Sequence, residues 1–173
     1  MTRRNRITVD SFSASNFHTT ESRPYLFVAP ATVWIHFTRR MADGSSLRGV
    51  ISICLLDGFE TDGASTKWPA TLLVPNWREG DDRYNACPTA HDVLYIMEGL
   101  VPGLTGGTPP LELSREECDD ILRGMWRCWG MSRALAGVAD KGIEIFAGGK
   151  SHWGNDGFCV KSRAVVRWRR TDG

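Results

Sequence analysis

No stretch of the 173-residue chain approaches the ~20 consecutive apolar residues that a membrane-spanning helix requires, so no transmembrane segment is expected. Charge of one sign is lacking too: 21 Lys and Arg stand against 20 Asp and Glu, and a net charge of +1 gives no long-range field that selects nucleic acid or an anionic membrane. The cysteines, Cys54, Cys87, Cys118, Cys128 and Cys159, are odd in number and form no CxxC pair. That pattern suggests neither a disulfide framework nor a zinc ribbon, and it points to a reducing compartment. The basic start MTRRNRITVDSF is not followed by an apolar run of about 7–15 residues, so a secretory leader is not expected either. The expectation is a soluble protein made in the cytoplasm.

What is present is ordinary globular material, 42% apolar and 24% charged, in a length that suits one domain. Seven tryptophans spread along the chain imply a core rich in aromatic rings. Residues 1–24 are polar and without period, and read as a loose N-terminal arm. Ala31 to Arg39 alternates Val33, Ile35 and Phe37 with Thr32, Trp34, His36 and Thr38, the period of a half-buried strand. A second β-branched run covers Leu47 to Leu56, and Asp43-Gly44 between the two predicts a β-hairpin with a loop longer than two residues.

LLDGFETDGAS turns twice at its Asp-Gly pairs, and the polar run NWREGDDR reads as surface loop. A helix is predicted over Tyr84–Glu98, with Pro88 near its first turn and Gly99 as its stop. Residues 99–113, rich in Gly and Pro, predict a loop. Ser114 and Glu117 form a capping box that opens a second helix, striped by Cys118, Ile121, Leu122, Met125 and Trp129 and ended by Gly130. A third helix is predicted over Arg133–Ala147, and strand period returns over Phe158–Arg169. The whole reads as α+β: an N-terminal β-hairpin, a three-helix segment and a C-terminal strand in one domain over residues 25–173.

Within HDVLY, His91 and Tyr95 lie one helical turn apart on one face, with Asp92 about 100° round the helix. On an exposed helix edge these would supply a general base, an acid and a hydrogen-bonding phenol. A single His-Asp pair on a helix is more often a surface or capping detail than a site. On the capped helix the wheel puts Asp120 nearly opposite Cys118, solvated, and Asp119 at the edge of the apolar stripe beside Trp126. If the two helices pack antiparallel, Asp119 can reach His91 and orient its imidazole. Asp62 and Ser65 flank a glycine turn that could aim a carboxylate and backbone amides at a ligand, or serve as a plain Asx turn. Cys87 with His91 at i, i+4 is a weak metal pair. His152, between glycines, could line a cleft, whereas His18 and His36 read as structural or exposed. The basic side of the last strand, Lys161, Arg163, Arg167 and Arg169, lacks any companion motif for specific nucleic-acid binding and reads as a solvated, charge-guarded edge.

Taken in order, GFETDGAS, AHDVLY, Cys118-Asp119 on a capped helix and a helix ending in FAGG resemble a bacteriophage and prophage family catalogued as domain of unknown function 1353. The resemblance covers about residues 50–150. It departs from the family at Thr66-Lys67-Trp68-Pro69, where Ile-Pro usually follows the serine, and at Cys118, where Ala is usual. It implies a phage origin and no reaction. HDVLY also resembles, locally, the H-D-x-C-Y helix of secreted phospholipases. By that likeness His91 would activate water, Asp92 would bind calcium and Asp119, on an antiparallel helix, would orient His91, while the family's calcium loop and cysteine framework are absent. Two functional expectations result. The first is a phage-type hydrolase of a cell-envelope ester or amide, with His91, Asp119 and Tyr95 catalytic, Asp62 and Asp92 available to a divalent cation (Ca, Mg or Zn), and Ser65 and His152 in binding. The second is a virion or host-interaction protein whose His-Asp-Tyr cluster only pins helices together. Either would reside in the bacterial cytoplasm or in the virion.

Overall fold

The computed structural model describes residues 4–21, 24–61, 63, 74–105, 107–137 and 163–171. In chain order its elements are β1 (Arg6–Ser15), β2 (Tyr25–Leu26), β3 (Ala31–Arg40), β4 (Ser46–Leu55), β5 (Glu60–Thr61), α1 (Asp82–Ile96), β6 (Leu100–Val101), β7 (Leu111–Glu112), α2 (Arg115–Trp129) and β8 (Ala164–Arg170). Residues 133–137 are also helical, and the rest of the helix predicted to Ala147 lies outside the described residues. No described helix is long and apolar enough to cross a membrane.

An antiparallel sheet in the order β1-β3-β4-β8 carries the fold. The predicted hairpin is β3 and β4, registered from Ala31 opposite Leu55 to Arg40 opposite Ser46. Its loop is closed by Met41 N–H donating to the Ser45 carbonyl and by Asp43, which accepts from the Ser45 amide and hydroxyl. Val33, Ile35 and Phe37 face the core with Ile51, Ile53 and Leu55, while Trp34 and His36 point the other way. The α+β class stands as read.

The loose arm does not. Residues 6–15 pair with Thr32–Arg40 of β3 and place Ile7, Val9 and Phe12 in the core. A bulge between Val9 and Ser11 slips the register by one residue, so the buried positions run 7, 9, 12 instead of 7, 9, 11. That slip erases the period-2 signal by which a strand is recognised.

α1 and α2 are antiparallel neighbours. Trp129 at the end of α2 donates to the Asp81 carboxylate at the start of α1, and Arg115 at the start of α2 donates to Tyr95 near the end of α1. α1 starts two residues before the predicted Tyr84, capped by Asp81, which accepts the Tyr84 N–H at 2.9 Å. Pro88 therefore sits inside the helix and not in its first turn, where it supplies no N–H to the preceding turn. Gly99 ends this segment at φ +71°, and a Cβ there would lie 2.0 Å from the Leu113 carbonyl oxygen, so only glycine fits. The predicted 99–113 loop contains the short β6-β7 ladder and docks on β8 through Trp168, whose N–H donates to the Pro102 carbonyl.

The predicted capping box is in place on α2. Ser114 accepts the Glu117 N–H, and Glu117 Oε2 accepts the Ser114 N–H at 2.9 Å. The same buried carboxylate takes a bidentate bond from Arg39 of β3, at 2.7 and 2.8 Å, which ties the start of α2 to the sheet. Further along, Asp120, Gly124 and Cys128 form one i, i+4, i+8 row against the open edge of β1. Asp120 Oδ2 accepts the Ile7 N–H at 3.4 Å, a Cβ at Gly124 would fall 2.7 Å from the Val9 side chain, and the Cys128 thiol donates to the Val9 carbonyl at 3.5 Å. This row covers backbone groups that an edge strand otherwise presents to any passing chain. Asp120 is consequently half-buried and also paired with Arg123, not solvated as the wheel suggested. The wheel assumed one packing face, and α2 has two, α1 on one side and β1 on the other.

Candidate functional site

The antiparallel pair brings the predicted dyad together. His91 and Asp119, 28 positions apart, meet with Nε2 to Oδ1 at 2.9 Å. The Tyr95 hydroxyl donates to the same Oδ1 at 2.5 Å, and Arg115 Nε donates to that hydroxyl at 3.2 Å. The rings of His91 and Tyr95 lie 4.1 Å apart, as i, i+4 neighbours on α1 should. The cluster therefore runs Arg115, Tyr95, Asp119, His91, from one end of α2 onto the middle of α1.

Its electrostatics are consistent. Burial by itself would raise the Asp119 carboxyl, but the hydrogen bonds from His91 and Tyr95 and the charges of His91 and Arg115 outweigh it and hold the group below the ordinary carboxylate range. Burial, and then the bond to Asp119, push the Tyr95 hydroxyl upward, so it stays protonated and donates. An ionised carboxylate only accepts, which places a proton on His91 Nε2. Among the described residues Asp119 is the hydrogen-bond partner of the imidazole, so Nδ1 is not committed to any of them.

The helix edge is not exposed as the sequence suggested. His91 is 7% and Tyr95 8% exposed, because α1 is buried almost all round. Asp92, on the next face, keeps partial exposure and accepts from the Thr61 hydroxyl at 2.9 Å. Thr61 is fully buried and its Oγ1 also accepts the Gly63 N–H at 3.1 Å. Gly63 sits at φ +73°, and a Cβ there would come 2.2 Å from the Asn76 carbonyl oxygen. Thr61 thereby ties this segment to α1, and Gly63 packs against the chain before that helix at Asn76.

Asp62, Ser65 and His152 lie outside the described residues. Cys87 does not join His91, since its buried thiol donates to the Arg83 carbonyl and burial raises it well above the usual thiol range. Among the described residues no group of three His, Cys, Asp or Glu is arranged to hold a metal ion. Two participants were not read from the sequence. Thr61 carries the contact to Asp92, although attention in that motif falls on its charged and nucleophilic members. Arg115 follows the cap as a routine first-turn residue, and nothing but its position one helical turn before Asp119 connects it to the site.

The chain matches no family model, no curated protein and no solved structure.

Proposed function

We propose that the chain is a phage-type hydrolase that cleaves an ester or amide of the bacterial cell envelope, with His91 as general base and Asp119 as its orienting acid. The observation that carries this reading is the hydrogen bond that Nε2 donates to Asp119, which leaves the lone pair at Nδ1 to take a proton from water. As Nδ1 takes that proton, the hydroxide formed adds to the substrate carbonyl carbon, and the ionised Asp119 stabilises the imidazolium. Collapse of the tetrahedral adduct breaks the carbon–oxygen or carbon–nitrogen bond, and Nδ1 returns its proton to the leaving group. Tyr95, held by Arg115, fixes the carboxylate so that its bond to His91 keeps one direction. Asp92 and Asp62 are the residues that would hold a divalent cation, which would polarise the carbonyl. The phage resemblance of the GFETDGAS and HDVLY segments supports the choice of an envelope substrate.

The low exposure of His91 favours a second reading, in which the cluster ties two helices together in a virion or host-interaction protein. One variant separates the two. On the hydrolase reading, wild-type protein supplied with calcium, magnesium or zinc cleaves envelope lipids or peptidoglycan, and His91→Ala lowers the rate ~100-fold or more while remaining folded. No cleavage of either substrate with any of these ions, together with a drop of several degrees in the melting temperature of His91→Ala, would leave only the structural tie.

A further inference from the structure

The face of the sheet turned away from the helices carries a charge pattern that the whole-chain balance hides. Its outward positions are residues 6, 8, 10, 11, 13 and 15 of β1, even-numbered residues 32–40 of β3 and 46–54 of β4, and 165, 167 and 169 of β8. Among them stand five arginines, Arg6, Arg40, Arg48, Arg167 and Arg169, and one acid, Asp10. A face at +4 in a chain of net +1 is a segregated charge, not an average one. Asp10 is turned to the Thr38 hydroxyl, which donates to it at 2.8 Å. Among the described residues no carboxylate pairs with Arg48, Arg167 or Arg169.

In the middle of this face is Trp34, 40% exposed, opposite Ser13 on one side and Ser52 on the other, with Arg167 opposite Ser52 one strand further out. The next rung holds His36, Val50 and Arg169. An indole left exposed between small serines presents its ring to whatever lies on the sheet, with Arg167 and Arg169 two strands to one side and Arg48 further along the neighbouring strand. Strand spacing of about 4.8 Å makes the face about 14 Å wide across its four strands, broad and open.

We infer that this face binds single-stranded nucleic acid without sequence selection, Trp34 stacking on an unpaired base and Arg48, Arg167 and Arg169 neutralising the phosphates beside it. An exposed aromatic ring amid fixed cations on an open sheet is the arrangement that takes a strand whose bases are free to stack. A duplex keeps its bases stacked on one another and has no use for the indole. The face lies opposite the helices that hold His91, so the inference is independent of the hydrolytic reading.

The test uses the full chain and a fluorescein-labelled oligothymidine of about 12 nucleotides, followed by anisotropy across a salt series. Saturable binding is expected, with the logarithm of affinity falling against that of salt with a slope of about −2, as for three neutralised phosphates. Trp34→Ala is expected to weaken binding about 5- to 100-fold and Trp34→Phe to restore most of it, since either ring can stack. Arg167→Gln with Arg169→Gln should flatten the slope by about 1.4. His91→Ala should bind as the wild type does. Trp34, Arg167 and Arg169 are on the solvent face, and melting curves verify that each variant is folded. The inference is overturned if no saturable binding occurs, if Trp34→Ala binds as well as the wild type, or if duplex of the same length binds equally with the same slope. Tighter capture by polyglutamate or by phosphatidylserine vesicles would likewise overturn it in favour of an acidic protein or a membrane surface.

Discussion

Asp119 and His91 are joined at 2.9 Å across two antiparallel helices, and the oxygen that receives the imidazole also receives the Tyr95 hydroxyl. One carboxylate oxygen thus fixes two side chains that sit one turn apart on the facing helix. Neighbouring Asp120 leaves the same helix toward β1, where it accepts the Ile7 N–H and pairs with Arg123.

The two aspartates should therefore respond differently to the same change. Asp119→Asn removes an acceptor-only group from two donors in a half-buried site, and should cost about 1–3 kcal/mol in urea unfolding and suppress any hydrolysis. Asp120→Asn retains an oxygen for Ile7 and loses an ion pair to a partly exposed Arg123, a cost of at most about 1 kcal/mol with no effect on hydrolysis. Equal losses in both variants would contradict the placement of the two side chains.

Acid should act on the first of these. Because the folded Asp119 carboxyl is depressed, its contribution to stability is complete above the unfolded value of about 3.9 and is lost as pH falls through the lower folded value. The stability difference between wild type and Asp119→Asn should shrink as pH falls below about 4. A difference that grew as pH fell from about 4 to about 2 would reverse the sign and refute the assignment.

Gly63→Ala tests the packing of the Thr-Asp-Gly segment. The new Cβ adds left-handed backbone strain of about 1–3 kcal/mol to a contact 2.2 Å from the Asn76 carbonyl oxygen. At about 2–4 °C per kcal/mol for a chain of this size, the melting temperature should fall by several degrees. Gly80→Ala, at similar φ but with no atom within 4 Å of its Cβ, should cost less.

Arg39→Met leaves the Glu117 carboxylate buried without its guanidinium, and should destabilise by about 3–5 kcal/mol. Adding Glu117→Gln removes the stranded charge while keeping a side chain that can complete the capping box, so the double variant should be more stable than Arg39→Met alone. A double variant less stable than the single would show that the charge itself is not the source of the loss.

Local chemistry determined much of this protein from sequence alone. The alternation in Ala31–Arg39, the Asp43-Gly44 turn and the Ser114–Glu117 box each act within a few residues, and each stands in the structure as the sequence implies. The helix wheel likewise brought Asp119 toward His91, since that needs only 3.6 residues per turn and an antiparallel neighbour. What required the tertiary structure is whatever depends on a second surface. A one-residue bulge concealed β1, and the edge of that strand drew Asp120 inward. The burial of α1 on nearly every side turned an expected exposed site into a nearly enclosed one, and clamped Thr61 to Asp92. The gathering of Trp34 with arginines from four strands follows from strand order, a long-range property that no local period encodes.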